Sequence, residues 1–395
     1  MQFKKILRQQ VSAHPSMEPR DVVKLCYQTV FGAEHLLDDL EAAEKYFMRE
    51  YEQVQSGQEE PLYECIGEDI VRVNLGAWKN RMLPPEWLFR MFVETASRPS
   101  KGGKELFDTC LREASSLAAE GVFRFDWAAW EEFLREYPLT EPAAVHHSEN
   151  YRKSEKPAYR LVHAGYMRML PLLELIGEKE RAQRRIPPGN GAVAIHGQCS
   201  AGNGAVTINS RCAAGNGVVT IDGGCSAGNC VVAIDGRCAS GKTTLSGQLA
   251  KVTGGSVIHM DDFFLPKELR KEERLREPGG NVHYERFLEE VIPFLKTGED
   301  FSYRCFECKK MEFGRKQKVQ GSGIIVVEGA YSCHPKFGEY MTIKAFCDVE
   351  PEEQLRRVEA RDGELYLDDF KRRWIPMEET YFAAYSVKEQ ADVVI

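Results

Sequence analysis

The sequence predicts an α/β fold for the C-terminal part of the chain, a mostly parallel sheet wrapped by helices, preceded by an all-α domain. Short apolar runs at residues 231–234, 257–260, 324–327 and 344–349 have the length and composition of buried strands. Helical patterns lie between these runs, and strands that alternate with helices are typical of parallel sheets. Residues 1–185 carry helical periodicity and capping residues instead, so we expect only helices there.

The N-terminal domain is predicted to span residues 1–185, with helices over about 20–52, 85–97, 104–120, 126–137 and 157–176. The second of these helices opens on Pro85, and proline is tolerated in a first helical turn. Asp126 can cap the fourth, because its carboxylate can accept a hydrogen bond from a free backbone N–H group. We expect the tryptophans of this domain to build its core; they are Trp78, Trp87, Trp127 and Trp130.

The first strand of the C-terminal domain, residues 231–395, runs into Gly236-x4-Gly241-Lys242-Thr243, and a helix follows. This strand–loop–helix pattern is a P-loop, in which backbone N–H groups surround phosphates. Lys242 would reach the β- and γ-phosphates, and the Thr243 hydroxyl would bind Mg²⁺. The sequence therefore predicts a site for ATP or GTP with Mg²⁺. Its nucleotide-binding residues would be Gly236, Ala239, Ser240, Gly241, Lys242, Thr243 and Thr244.

Four units of 13 residues follow one another in tandem, starting at residues 192, 205, 218 and 231, and the fourth unit contains this loop. Only the last carries the P-loop chemistry, because asparagine replaces the lysine in the others. The first three fall in residues 186–230, which we predict to be a linker. We consider three interpretations of these repeats: a duplication that lost the capacity to bind nucleotide, a short β-solenoid, or a cysteine-based metal or redox array.

The next strands end in acidic residues, where ligands bind at the carboxyl edge of parallel sheets. Asp261 could take a proton from an attacking hydroxyl, and Glu328 could bind Mg²⁺. The helix that follows Pro351 carries Arg356, Arg357 and Arg361, which could neutralise a transferring phosphoryl group or simply pair with acids on a solvated face.

Residues 231–395 resemble the uridine kinase family, within the group that includes phosphoribulokinase and pantothenate kinase. The resemblance rests on Gly236–Thr244, Asp261-Asp262-Phe263-Phe264, Asn281-Val-His283, Glu328-Gly329, the arginine helix and Ala391–Ile395. It implies transfer of the γ-phosphoryl group of ATP to a hydroxyl of a nucleoside or related metabolite. It also implies that Lys242, Asp261 and the three arginines are catalytic, the arginines as a mobile lid.

The same resemblance implies that Phe264, His283, Tyr303 and Arg304 bind the substrate. Three of them depart from the family pattern: Phe264 replaces a tyrosine, and His283 and Arg304 replace acids. Arginine cannot accept hydrogen bonds from ribose hydroxyls, which admits a phosphorylated sugar or an organic acid as acceptor. A non-catalytic, ATP-dependent switch controlling the helical domain is a further alternative, although it would need neither a base nor lid arginines.

Residues 144–162 of the helical domain concentrate histidine, tyrosine and arginine. Arg152 and Arg160 could bind a phosphate or nucleotide as bidentate donors. Alternatively, the segment is ordinary surface.

Composition sets the remaining expectations. With 43% hydrophobic and 28% charged residues, the chain of 395 residues is typical of a globular protein. The net charge of −8 argues against a nucleic-acid partner. No apolar stretch is long enough to span a bilayer, and the N-terminus lacks the apolar core of a signal peptide, so we expect a cytoplasmic protein. The 12 cysteines, including Cys305 and Cys308, are expected to be reduced thiols rather than metal ligands. The oligomeric state cannot be derived from these features.

Overall fold

The computed structural model describes residues 3–33, 39–55, 61–98, 103–184, 229–308 and 310–395. They form two units, Met1–Glu174 and Leu175–Ile395. No helix among these described residues has the length and apolar character needed to cross a membrane.

The N-terminal unit is built mainly from helices, as predicted. In chain order the α-helices are α1 (Phe3–Ala13), α2 (Pro19–Phe31), α3 (Leu40–Gln53), α4 (Leu75–Asn80), α5 (Pro85–Ala96), α6 (Gly103–Ala119), α7 (Trp127–Glu136), α8 (Glu149–Glu155) and α9 (Leu170–Arg184), which extends into the second unit.

This unit also contains a sheet, so the expectation of an all-helical domain was wrong. Its three strands are β1 (Tyr63–Cys65), β2 (Ile70–Asn74) and β3 (Tyr159–His163), in the order β1-β2-β3. Both pairings are antiparallel, and His163 lies opposite Ile70. The helix predicted over 157–176 is therefore a strand followed by a 3₁₀ turn and α9. Its partner strand lies about 90 residues away in the sequence, beyond the reach of local periodicity.

The remaining expectations for the N-terminal unit were confirmed in part. The Asp126 carboxylate accepts a hydrogen bond from the Ala129 backbone N–H group, as predicted. Trp78, Trp87 and Trp130 are buried, but Trp127 is 42% exposed. The helix predicted over 20–52 consists of α2 and α3.

The C-terminal unit has the α/β architecture that the apolar runs predicted. Its strands are β4 (Asn229–Gly236), β5 (Ser256–His259), β6 (Phe301–Glu307), β7 (Glu312–Val319), β8 (Gly323–Glu328), β9 (Ile343–Cys347) and β10 (Val393–Val394). Its helices after α9 are α10 (Lys242–Thr253), α11 (Glu272–Arg276), α12 (Tyr284–Glu290), α13 (Ile292–Thr297), α14 (Pro351–Asp362), α15 (Glu364–Asp369) and α16 (Ile375–Tyr385).

The main sheet has the strand order β10-β9-β4-β8-β5, and every pairing in it is parallel. Strand β4 is central and buried along its whole length, between β8 and β9. Because all five strands run in the same direction, their carboxyl ends meet at one edge. That edge carries Gly236 at the end of β4, His259 at the end of β5 and Glu328 at the end of β8.

Strands β6 and β7 form a separate antiparallel hairpin. The hairpin packs against the main sheet through buried side chains that include Phe301 and Tyr303. The amphipathic segment carrying Phe287, Val291 and Leu295 is divided into α12 and α13 at Val291, next to Pro293 near the start of α13.

Strand β4 begins two residues earlier than the apolar pattern indicated. The buried Asn229 amide donates to the carbonyls of Gly321 (2.7 Å) and Leu295 (3.4 Å), and its oxygen accepts from the Gly323 N–H group (3.2 Å). Asn229 and Cys230 therefore belong to the sheet, although the sequence placed them in the linker. The first three repeats, up to residue 228, lie outside the described residues.

Candidate functional site

The loop between β4 and α10 has backbone geometry suited to phosphate binding. Gly236 has φ = +129°, and a Cβ atom there would lie 2.1 Å from the carbonyl oxygen of Cys347. Ala239 and Gly241 also have positive φ values, +57° and +97°. Left-handed residues in such a loop turn successive N–H groups towards one point, and the start of α10 adds its own free N–H groups. The loop and helix therefore fit an anion without further adjustment.

Lys242 is the first residue of α10 and is only 8% exposed. Its ammonium group donates to the carbonyl oxygens of Gly236 and Arg237, each at 2.7 Å. These two bonds hold the charge at the mouth of the loop. A phosphate bound there would meet a cation that is already in position.

Thr243 and Glu328 form the part of the site that suits a divalent cation. The Thr243 hydroxyl donates to Glu328 Oε1 at 3.2 Å, and His259 Nδ1 lies 2.5 Å from the same oxygen. This hydrogen bond to Glu328 raises the pKa of His259. Hydroxyl and carboxylate oxygens are the ligands that Mg²⁺ prefers, together with waters and substrate phosphates. Among the described residues, no group of three or more His, Cys, Asp or Glu side chains could hold a metal, so waters and phosphate oxygens would complete the coordination of a cation held by Thr243 and Glu328.

Asp261 lies in a 3₁₀ turn directly after β5, Met260–Phe263. Burial raises the pKa of its carboxyl group, and the nearby charge of Glu328 raises it further. The adjacent Asp262 has a different environment, because its carboxylate accepts a hydrogen bond from the Tyr303 hydroxyl at 2.9 Å. Asp261 therefore lines the cavity, whereas Asp262 holds the β6–β7 hairpin through its hydrogen bond with Tyr303.

One cavity of about 760 Å³ joins these groups. The predicted site residues that line it are Ala239, Gly241, Lys242, Thr243, Thr244, Asp261, Phe264, Glu328, Arg357 and Arg361. Gly236 and Ser240 shape the loop from behind, Gly236 by its close approach to β9 and Ser240 by burial of its side chain.

The three arginines of α14 face different ways. Arg357 lines the cavity, and its Nη1 donates to the P-loop carbonyl of Ala239 at 3.4 Å. Arg361, one helical turn later on the same face, also lines the cavity and pairs with Asp362 at 2.7 Å. The Arg356 side chain is 69% exposed and pairs with Glu353. The structure therefore brings two of the three predicted lid arginines to the site.

Three predicted substrate residues do not line the cavity. His283 caps α12 by accepting a hydrogen bond from the Arg286 N–H group (3.4 Å) and also contacts Glu285 (3.2 Å). The Tyr303 side chain is buried, and the Arg304 guanidinium lies 4.6 Å from the centre of the Phe313 ring. Of the four predicted substrate residues, only Phe264 is at the cavity.

The sequence did not predict several residues that line the cavity, among them Arg270, Asn281, Cys308, Tyr331, Arg373, Trp374 and Glu378. The basic and aromatic run Phe370–Trp374 was visible, but it had no motif to identify it; the structure shows a π-helical turn there, a feature frequent at functional sites. The Glu378 carboxylate accepts a hydrogen bond from the P-loop N–H group of Cys238 at 2.9 Å. Burial raises the pKa of Glu378 to about 7.

Asp235 supports the P-loop from below. Its Oδ1 accepts from the N–H groups of Gly236 (2.7 Å) and Tyr331 (3.1 Å), and its Oδ2 accepts from Cys333 N–H (2.9 Å) and the Tyr381 hydroxyl (2.8 Å). Tyr331 follows β8 with φ = +76°, a strained value for a bulky residue. The buried carboxylate thus connects the ends of β4 and β8 to α16.

The histidine- and arginine-rich segment of the N-terminal unit lines a separate cavity of about 740 Å³. His147 is held between Asp21 (2.8 Å) and the Tyr159 hydroxyl (2.7 Å), and burial lowers its pKa to about 4. Arg160 pairs with Glu50 at 2.7 Å, while Arg152 is exposed. These partners account for the burial of His147 and Arg160 without a ligand, so phosphate binding here stays a prediction.

Comparisons with known proteins find similarity to solved structures alone. No protein-family model matches the chain, and no curated protein matches it. Among solved structures, it is similar to a possible uridine kinase from Bacillus stearothermophilus, with a TM-score of 0.34 and 21% identity over 43% of this chain and 90% of that one. It is also similar to a putative fructose transport system kinase from Silicibacter sp., with a TM-score of 0.32 and 19% identity over 42% of this chain and 90% of that one. The sheet order and the P-loop geometry define the C-terminal unit as an α/β P-loop fold.

Proposed function

We propose that the C-terminal unit is a small-molecule kinase that transfers the γ-phosphoryl group of ATP, or of GTP, to a hydroxyl group. The observation that carries this proposal is the convergence of three different groups on one cavity. These are the P-loop cation Lys242, the Thr243–Glu328 oxygen pair and the carboxyl group of Asp261. A site that only bound nucleotide would not need a potential base beside the phosphate loop.

The residues divide the reaction among themselves. The loop N–H groups and Lys242 would hold the β- and γ-phosphates. Thr243 and Glu328 would hold Mg²⁺, which neutralises phosphate charge when bound. Asp261 would accept the proton of the acceptor hydroxyl as its oxygen bonds to the γ-phosphorus and the bond to the β-phosphate oxygen breaks, which releases ADP. Arg357 and Arg361 would neutralise charge on the group in transit.

The residues that the resemblance assigns to substrate binding do not identify the class of acceptor. A nucleoside is the acceptor in the uridine kinase reading, but His283, Tyr303 and Arg304 lie away from the cavity. The proposal therefore rests on phosphoryl transfer to a hydroxyl and does not depend on recognition of uridine.

The test is acceptor-dependent release of ADP from Mg·ATP across a panel of nucleosides, sugars, sugar phosphates and hydroxy acids. Lys242→Ala should abolish release, because it removes the cation at the transferring phosphate. Lys251→Ala, at the exposed end of the same helix α10, is the matched control and should keep turnover. The P-loop assignment fails if the Lys242→Ala protein binds and turns over ATP like the wild type. Tight ATP binding without release for any acceptor would instead support the switch alternative.

A further inference from the structure

One wall of the cavity is formed by Phe264, Arg270 and Asn281. Hydrogen bonds to the backbone of Leu265 and a β-bridge next to it connect these three residues. The Leu265 N–H group donates to the Asn281 carbonyl at 3.0 Å, and Arg270 Nε donates to the Leu265 carbonyl at 2.8 Å. Phe264 forms a β-bridge with Val282, next to Asn281. The wall is therefore a small hydrogen-bonded structure that fixes the backbone at Phe264 and Asn281 and the Nε atom of Arg270, and it begins three residues after Asp261.

The charge of Arg270 is available to a ligand. The two arginines of α14 that line the cavity have carboxylate partners, Glu353 for Arg357 and Asp362 for Arg361. The guanidinium of Arg373, which also lines the cavity, lies over the ring of Trp374. Within the described part of the chain, Arg270 makes its hydrogen bond through Nε alone and has no carboxylate in ion-pair contact. Its two terminal nitrogens can therefore bind an anion in the bidentate manner that guanidinium groups favour.

Arg270 and the proposed base, Asp261, line the same cavity. Cys308 lines this cavity too; burial raises the pKa of its thiol, the charge of Asp261 raises it further and the charge of Arg270 lowers it. The Asn281 side chain, which is 6% exposed, also lines the cavity. Its Oδ1 has no hydrogen-bond partner among the described residues. Buried acceptors normally have a partner, so this amide offers a further contact for a polar ligand.

From this juxtaposition we infer that the phosphoryl acceptor is an anionic alcohol, a molecule with a hydroxyl group and a phosphate or carboxylate group. Arg270 binds the anion, and the hydroxyl group lies at Asp261. This inference rests on the proposed kinase function and adds the substrate class to it. It also places the anion-binding cation at Arg270 rather than at Arg304, which lies over the Phe313 ring and away from the cavity.

A binding experiment tests this inference without requiring turnover. The full-length protein is saturated with Mg²⁺ and a non-hydrolysable ATP analogue so that the nucleotide phosphate site is filled. Inorganic phosphate, glycerate and the neutral control glycerol are then titrated calorimetrically. We expect phosphate or glycerate to bind and glycerol not to bind, and the anion that binds identifies the phosphate or the carboxylate class.

The variants assign the binding to Arg270. Arg270→Met should weaken anion binding at least tenfold. Arg270→Gln should do the same while its amide can still donate to the Leu265 carbonyl, which separates charge from folding. Arg276→Met is the matched control, since Arg276 is exposed and pairs with Glu272 on α11. Equal anion binding by wild type and both Arg270 variants would overturn the inference, as would a tenfold loss of nucleotide affinity in them or no anion binding by the wild type.

A kinetic arm separates the inference from the proposal beneath it. ADP release is compared for the pairs glycerol and glycerate, ribose and ribose 5-phosphate, and for uridine. We expect turnover with an anionic member and an increased KM for it in Arg270→Gln. Turnover of uridine or of a neutral member that is unaffected by Arg270→Gln would overturn the anionic class but leave the kinase standing. Anion binding at Arg270 without any ADP release would instead count against the kinase function alone.

Discussion

At the scale of single residues, Asp261 and Glu378 show how the same chemical group acquires two roles. Both are carboxyl groups that line the cavity, and burial raises the pKa of each. Asp261 follows the end of β5 and adjoins Glu328, so its proton affinity is tuned by a second acid at the same sheet edge. Glu378 is bonded to the P-loop backbone instead. We therefore assign proton transfer to Asp261 and support of the loop to Glu378.

Asp261→Asn should lower kcat by roughly 10²–10⁴, the range expected when a general base is lost. The protein should also become more stable at neutral pH, because an uncharged amide avoids the repulsion between the Asp261 carboxylate and the nearby charge of Glu328. The measurements are steady-state kinetics and thermal unfolding without nucleotide. Asp262→Asn is the control and should keep most of the turnover, since the Asp262 carboxylate binds Tyr303. An effect of Asp261→Asn on acceptor KM alone would show that Asp261 only binds the substrate.

Glu378→Gln should change how stability depends on pH. The pKa of Glu378 is about 7 in the folded protein, against an ordinary value of 4.5. As the pH rises from 4.5 to 7, the unfolded chain loses this proton while the folded protein keeps it, so stability falls over this range and is level above it. The resulting loss in the free energy of unfolding is at most roughly 3 kcal/mol.

The measurement is Tm between pH 5 and 8 for the wild type, Glu378→Gln and the exposed control Glu389→Gln. The advantage of Glu378→Gln over the wild type should grow up to pH 7 and then level off, and Glu389→Gln should follow the wild type. A constant difference between Glu378→Gln and wild type across this range would contradict a raised pKa at this position.

At the scale of elements, helix α14 decides which of its arginines can act. Its inner face packs against the P-loop through Gln354, whose amide donates to the Cys238 carbonyl at 3.2 Å, and through Arg357. Positions three and four residues apart share a helix face, so Arg357 and Arg361 lie together while Arg356 is turned outward. The helix supplies two cations to the cavity because of its orientation on the sheet.

The two adjacent arginines of α14 provide a matched pair of variants. Arg357→Ala should lower kcat/KM by at least tenfold, because it removes a cation that lines the cavity and contacts the P-loop. Arg356→Ala should remain within about twofold of the wild type, since exposed ion pairs contribute little. Both residues pair with Glu353, so each variant loses one contact with that residue. The difference in kcat/KM between the two variants therefore reports the charge in the cavity. Equal losses in the two variants would mean that α14 acts through its structure and not through the charge in the cavity.

At the scale of the whole molecule, the described P-loop site lies within the unit Leu175–Ile395. We propose that residues 186–228 contribute nothing to catalysis. Only the fourth repeat has the lysine and threonine of a P-loop, and only it is followed by α10. The end of the third repeat nevertheless belongs to the sheet, since Asn229 and Cys230 pair with Gly323 and Ile324 of β8.

Two deletions that differ by two residues test this division. Removal of residues 192–228 should leave the affinity for Mg·ATP and the turnover within a few-fold of the wild type. Removal of residues 192–230 should lower Tm by roughly 2–8 °C, because the buried hydrogen bonds of Asn229 are lost. ATP affinity and Tm are measured for both proteins. Loss of ATP binding in a folded protein lacking only 192–228 would show that the upstream repeats belong to the site.

The sequence by itself determined the parts of this protein that depend on local pattern. The P-loop, the strand before it and the helix after it are adjacent in the chain, so their chemistry can be read from one segment. Asp261 and Glu328 could be placed at the same edge because parallel strands end on one side of a sheet. The length of β4 was underestimated, since the polar Asn229 is buried only by partners about 65 to 95 residues further along the chain.

Only the tertiary structure decided which side chains reach the cavity. His283, Tyr303 and Arg304 occupy the places of substrate-binding residues in the family pattern, but a capping hydrogen bond, burial and contact with an aromatic ring hold them away from the cavity. Arg270, Asn281 and Glu378 carried no motif, yet they line the cavity because a turn, a loop and a distant helix pack around it. The small sheet of the N-terminal unit was missed for the same reason. Contacts between residues far apart in the chain depend on packing, which local periodicity does not contain.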